Sequence, residues 1–188
     1  MKIISEPARE IPVVAEADVV VAGGGPGGIP AAVAAARCGA KTILIERHGF
    51  LGGMATAGLI GPILAHRAHN APIAIVGGIP REMCERLHDM GGAQAWEEAL
   101  NNWGVRFSPE VLKVLADQMV EEAGVQLMLH SFIVGAAVDG GRLSAIIVEN
   151  KSGRQAVAGR FFVDATGDGD VAFRSGARTT HGTRIPPS

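Results

Sequence analysis

Residues 23–28 read Gly-Gly-Gly-Pro-Gly-Gly, and a carboxylate, Glu46, stands 18 positions after Gly28. The chemistry this spacing supports is the holding of a diphosphate and a ribose. Gly23 lets the chain turn tightly, and Gly25 has no Cβ, so its backbone can approach a pyrophosphate. Gly28 lets the next element pack close. Free N–H groups at a helix start, with their partial positive charge, then face the diphosphate. A carboxylate at position 46 accepts hydrogen bonds from both ribose hydroxyls of an adenosine. Arg47 would suit a 2′-phosphate, but Glu46 repels one, so Arg47 reads as a solvated residue beside the adenosine end.

That chemistry requires three elements to place it, and all three are predicted. An apolar strand, 18–22, runs into the turn. A slim helix follows, carrying Ala31, Ala32, Ala34, Ala35 and Ala36 and closed by Cys38-Gly39. Pro26 and Pro30 fall at or near its first turn, where a missing N–H costs little. A second strand, 41–46, ends in Glu46. Strand, helix and acid in register make this the βαβ dinucleotide fingerprint in its required context. The alternative is a plain βα turn of an α/β protein.

Other residues with chemical capacity are less organised. His66 and His69 are three apart, which a helix would place on one side, but no third ligand is visible. The bland reading of Asp164, Asp168 and Asp170 is a solvated acidic turn, and their context favours a cofactor loop over it; as metal ligands the set is too small, and a carboxylate pair for acid–base work has no support. No metal site and no catalytic acid or base is assigned. His48 reads as loop surface and His130 as a strand-end residue. Cys38 and Cys84 belong to no CxxC or metal-spaced cluster, and Cys38 reads as a small buried hydrophobe.

Composition bounds the class. The chain has 188 residues, 47% hydrophobic and 19% charged, which is globular rather than disordered. A net charge of −2 favours neither nucleic acid nor an anionic membrane. No apolar run reaches the length of a membrane span, and residues 1–17 lack an apolar signal core. The expected compartment is the cytoplasm.

Along the chain, 1–16 read as a lead-in and 17–47 as the βαβ unit. Residues 48–64 form a loop of small residues that cannot bury much, so its value lies in close backbone approach. A separate helical insert spans 65–107. Its helix opens at Ile79-Pro80, carries an apolar stripe of Met83, Leu87 and Met90, and stops at Gly91-Gly92; Trp96 and Trp103 are expected to anchor it. Ser108-Pro109-Glu110 then starts a helix with apolar Leu112, Leu115, Met119 and Val120, ended by Gly124. Residues 125–129 read as a third parallel strand. A β-meander follows, with turns at 139–141 and 150–153, and its last strand runs into 164–170, Asp-Ala-Thr-Gly-Asp-Gly-Asp. The expected domains are 1–64 with 108–178, an insert at 65–107 and a disordered tail at 179–188.

This order resembles the two-dinucleotide-binding flavoproteins with a glutathione-reductase-like FAD domain. More narrowly, stretches 19–28, 46–58, 109–124 and 163–172 are similar to the FAD-dependent oxidoreductase family, whose members carry an LGGMAT-like loop and an IDATGDGDVA-like segment. The resemblance covers roughly residues 17–177. It implies an α/β, Rossmann-like FAD/NAD(P)-binding domain: a parallel sheet plus an antiparallel β-meander and a helical insert. By the same resemblance, Gly23, Gly25, Pro26, Gly27 and Gly28 hold the FAD diphosphate, and Glu46 binds the adenosine ribose with Arg47 beside it. Gly52, Gly53 and Thr56 lie along the diphosphate and ribityl side, and the backbone of Ile133 meets the adenine edge. Ala165, Thr166 and Gly167 close over the cofactor, and Asp168 and Asp170 extend that loop. The glycine loop has no histidine where some flavoproteins attach FAD covalently, so noncovalent FAD is expected. His66 is a candidate for facing flavin or substrate.

The implied function is an FAD-dependent oxidoreductase whose flavin accepts a hydride or electron pair from a small molecule that the sequence does not name. Members of the family are usually longer, so the chain corresponds to an N-terminal FAD-binding portion. A partner supplying the C-terminal half, or a homo-oligomer, is then expected, with no nucleic-acid or membrane partner. The alternatives are a noncatalytic FAD or adenine-nucleotide module or a subunit of a larger assembly, and an NAD(P)-dependent dehydrogenase. The last is opposed by the meander and by Ala165-Thr166-Gly167.

Overall fold

A computed structural model of the chain describes residues 2–4 and 7–180; residues 181–188 of the expected tail lie outside the described residues. The order of elements is β1 (Val13–Ala22), α1 (Gly28–Arg37), β2 (Thr42–Ile45), a short 3-10 turn (Gly53–Ala55), α2 (Ile79–Asp89), α3 (Trp96–Ala99), α4 (Pro109–Glu122), β3 (Gln126–Met128), β4 (Phe132–Asp139), β5 (Arg142–Asn150), β6 (Gly153–Asp164) and α5 (Asp170–Arg174). Six strands form one sheet in the order β3-β2-β1-β6-β5-β4. The β3-β2-β1-β6 part is parallel, and β6-β5-β4 is antiparallel. Among the described residues no helix is long and apolar enough to cross a membrane.

The middle of the parallel part, Val20–Ala22 of β1 and all of β2, is buried on both faces. Val21 and Leu44 point to one side, into a core shared with Ile29 and Val33 of α1 and Leu112, Leu115 and Met119 of α4. Val20, Ala22, Ile43 and Ile45 point to the other side, against Ile146, Val148 and Val157 of the meander and Val171 of α5. The period-two alternation of β1 thus feeds two cores at once. Ser108 caps α4 by accepting from the Val111 N–H, and Gly124, at φ +75°, closes it.

Several expectations are corrected. β1 begins at Val13, inside the expected lead-in, because its first half pairs with β6 from Val13↔Ala156 to Ala17↔Gly159. Cys38 is exposed, since it sits past the last turn of the buried stripe of α1. The loop at 48–64 buries more than its composition suggests: Leu51 is fully buried in the first core, and Thr56 and Ala55 are buried with it. The helical stretch also lacks full separateness, because Met83 and Leu87 of α2 enter the first core. Only Cys84, Trp96, Ala99 and Val105 form a cluster of their own. Trp103 is 75% exposed and anchors nothing in that cluster, and Met90 lies at the exposed end of α2.

Candidate functional site

The C-terminal ends of the parallel strands are tied together by backbone bonds. The Gly23 N–H donates to the Ile45 carbonyl at 2.8 Å, and the Ala165 N–H to the Ala22 carbonyl at 2.8 Å. The Gly52 N–H reaches the Gly24 carbonyl at 2.8 Å, and the Ser131 N–H the Glu46 carbonyl at 3.0 Å. The glycine turn, the small-residue loop, the start of β4 and the loop after β6 therefore converge on one place. They enclose a cleft of about 510 Å³, within the ordinary range for small-molecule sites. In open α/β sheets, ligands bind outside the carboxyl ends of the strands, and this cleft lies there.

Glycine is required in the turn for separate reasons. Gly23 has φ +99°, which other residues rarely adopt, and a Cβ there would meet the Ala165 carbonyl. A Cβ on Gly28 would overlap the Gly23 carbonyl oxygen, so the helix can start here only without one. Gly25 faces the cleft, where a Cβ would find only the Gly53 Cα at 3.8 Å; its bareness keeps room for a ligand.

Glu46 is 95% buried, at 5% exposure, yet lines the cleft. Its Oε2 accepts from the Gly24 N–H at 2.7 Å, and its Oε1 from the His48 N–H at 2.8 Å. These two bonds orient the carboxylate and leave each oxygen a further lone pair for a ligand hydroxyl. Arg47 is exposed and directs its Nε at the His48 ring, 3.2 Å away.

The structure gathers most of the expected site. Gly23, Gly25, Pro26, Glu46, Arg47, Gly53, Ile133, Ala165, Thr166, Gly167 and Asp168 line the cleft together. Gly27, Gly28, Gly52 and Thr56 do not line it. Gly27 and Gly28 form the helix start behind the turn, while Gly52 turns the loop at φ +110°. The Thr56 hydroxyl is committed to the Leu51 carbonyl at 2.7 Å, so Thr56 braces the loop from inside. Met54, Ala57, Gly58, Ser131 and Phe132 line the cleft without having been singled out. Met54, Ala57 and Gly58 share the small-residue loop with Gly53, and Ser131 and Phe132 directly precede Ile133, so their neighbourhood was the only available signal.

His66 is corrected from a ligand-facing candidate to a core residue. It is 2% exposed, bonds the Ala99 carbonyl at 2.8 Å through Nε2, and meets the Trp96 ring edge-on. It does not line the cleft. The arrangement as a whole can hold an extended phosphate-bearing nucleotide, with the ribose carboxylate at one end and a loop of small residues along its length.

A family model described as FAD dependent oxidoreductase matches residues 18–186. A leghemoglobin reductase of Glycine max is 63% identical over 38 residues, which are 20% of this chain and 7% of that protein. A dihydrolipoyl dehydrogenase of Trypanosoma brucei brucei is 53% identical over 45 residues, 24% of this chain and 9% of that protein. Among solved structures, L-proline dehydrogenase from P. horikoshii superposes with a TM-score of 0.61 at 15% identity, covering 90% of this chain and 58% of that one. A geranylgeranyl bacteriochlorophyll reductase-like protein from Thermoplasma acidophilum gives 0.58 at 18% identity, covering 90% and 44%. The curated matches thus span under a tenth of their relatives' length. The structural likenesses show the fold, a Rossmann-like α/β domain with an antiparallel meander.

Proposed function

Since this chain belongs to the FAD-dependent oxidoreductase family, we propose that its cleft holds FAD and that it is the cofactor-binding portion of an oxidoreductase. Gly23, Gly25 and Pro26 would take the diphosphate, Glu46 the adenosine ribose and Ile133 the adenine side. Gly53, Met54, Ala57 and Gly58 would follow the cofactor toward its flavin, with Gly167 and Asp168 opposite. The fit rests on the bare Gly25 face and on the oriented Glu46 carboxylate. When bound, FAD supplies the acceptance of a hydride or electron pair and its transfer to a second acceptor. The chain's own contribution is to bind, orient and shield. The two N–H bonds to Glu46 fix its oxygens, and the bare Gly25 keeps a Cβ out of the diphosphate path.

The observation that carries this reading is Glu46 held at the cleft wall beside the turn. Its test is an absorbance spectrum of the purified chain after FAD addition and desalting. A retained flavin spectrum, lost or weakened in Glu46→Ala, supports it. A folded chain that ignores FAD but binds NAD would replace it with a dehydrogenase reading.

A partner or a second copy completing the flavin side is part of the same proposal. Phe161 of β6, at 64% exposure, is a large apolar side chain open to solvent. Light scattering with and without FAD tests it: a monomer at all concentrations would remove the second copy. A noncatalytic FAD module is the competing reading, and flavin reduction with turnover by any donor would end it.

A further inference from the structure

At the end of β6, Asp164 is exposed to solvent yet accepts through both of its oxygens. Its Oδ1 accepts from the Thr166 N–H at 3.2 Å and from the Thr166 hydroxyl at 2.7 Å. Its Oδ2 accepts from the Ala172 N–H at 2.9 Å. The Thr166 oxygen in turn accepts from the Asp170 N–H at 2.8 Å. One carboxylate thus holds three donors directly and a fourth through Thr166. It joins the strand end, the loop at 165–169 and the first turn of α5.

The direction of these bonds has a chemical consequence. Thr166 lines the cleft, but its hydroxyl proton and its N–H both go to Asp164. Neither is free to donate to a phosphate. The loop's next two residues, Gly167 and Asp168, also line the cleft, and Gly167 takes φ +93°. The Ala165 N–H pins the near end of the loop to β1 at the Ala22 carbonyl.

The geometry points to Asp164 as the positioning residue of the cofactor loop: it withdraws Thr166 from ligand bonding and presents the backbone of Gly167 and Asp168 to FAD. This inference rests on the FAD reading above. Hydrogen bonds to a charged acceptor are stronger than neutral ones, so losing this acceptor loosens the loop as a unit. Asparagine at 164 can keep the Thr166 bonds through its oxygen, but its amide meets the Ala172 N–H donor to donor.

The test compares FAD affinity, by flavin fluorescence titration, in wild type, Asp164→Ala, Asp164→Asn, Thr166→Ser, Thr166→Val and the Asp164→Ala/Thr166→Val pair. Asp164→Ala is expected to weaken FAD binding by about tenfold or more, with Asp164→Asn between it and wild type. Thr166→Ser keeps the hydroxyl that Asp164 accepts and is expected to lose less affinity than Thr166→Val, which removes it. The double variant is expected to bind like Asp164→Ala alone, because both changes break one network. Amide hydrogen exchange without FAD gives a second readout: the Asp170 and Ala172 amides are expected to exchange faster in Asp164→Ala, with the β1 amides unchanged. Wild-type binding with Asp164→Ala within twofold of it, additive single effects, or unchanged exchange at Asp170 and Ala172 would each overturn the inference. A folded wild type that binds no FAD would instead remove the cofactor reading on which it rests.

Discussion

Gly28 is the most constrained single position of the site. A Cβ there overlaps the Gly23 carbonyl oxygen, which is backbone and cannot swing aside. Gly28→Ala is therefore expected to cost at least the ~1–3 kcal/mol of an overpacked core and to abolish FAD retention. Urea denaturation and flavin absorbance check both; an unchanged midpoint with full retention would contradict the geometry. The two cysteines offer an independent check on the fold around α2. Burial, with a smaller effect from the Glu85 charge, pushes the Cys84 thiol up to about 11, whereas Cys38 is exposed. At pH 8 only about one Cys84 in a thousand is thiolate. Iodoacetamide followed by mass spectrometry is expected to label Cys38 readily and Cys84 only after denaturation. Equal labelling of both in native protein would mean that α2 does not pack as described.

At the scale of elements, α2 is the informative piece. Side-chain bonds tie it to both neighbouring helices: Arg37 of α1 grips Glu82 at 2.6 and 2.7 Å, and Arg86 grips Glu122 of α4 at 2.7 Å through both oxygens. The Arg37 hydrogen bonds hold the Glu82 carboxyl below its usual value, and those from Arg86 do the same for Glu122. A carboxylate so depressed contributes stability above its unfolded value and loses it as pH falls through the folded one. Glu82→Gln is expected to lower the urea midpoint at pH 7 and to narrow the gap between the midpoints at pH 7 and pH 3. The effect is modest because the pair is partly exposed; an unaltered pH dependence would show that the Arg37–Glu82 tie contributes nothing. Leu87, fully buried in the first core, tests whether α2 folds with the sheet. Leu87→Ala is expected to cost ~2–5 kcal/mol in the single transition that unfolds the sheet. A separate early transition, with the main one unmoved, would instead mark the stretch as its own unit.

For the whole molecule, a ligand that binds only the folded chain raises its stability by mass action. At free FAD about a hundredfold above its dissociation constant the gain is ~2.7 kcal/mol, or about 5–10 °C in melting temperature for a domain of this size. Differential scanning calorimetry with FAD, AMP and NAD is expected to rank FAD first; equal shifts for all three would reduce the site to a generic adenosine cleft. Much of this molecule could be read before its structure was known. Glycine's missing Cβ, proline's fixed φ and the Ser108 cap act within a few residues, so their meaning survives in the bare order of the chain. For the same reason the turn at 23–28, the start of α4 and the meander turns were legible. Glu46 was legible as the acid closing the βαβ unit but not as the acceptor of the Gly24 N–H 22 residues away. The first half of β1 was hidden because the partner strand that makes Val13 part of a sheet lies at Ala156. His66 looked available because nothing near it in the chain shows that Ala99 and Trp96 bury it. Asp164 could not be told from a solvated acid, because acceptor geometry, not residue type, distinguishes an organising carboxylate from a free one. The glycine turn, its acid and the order of the elements could be read from the chain alone, since these depend on local sterics and spacing. Which side chains face the cleft and which brace it from behind became visible only in the folded chain, since that depends on contacts between residues far apart in the sequence.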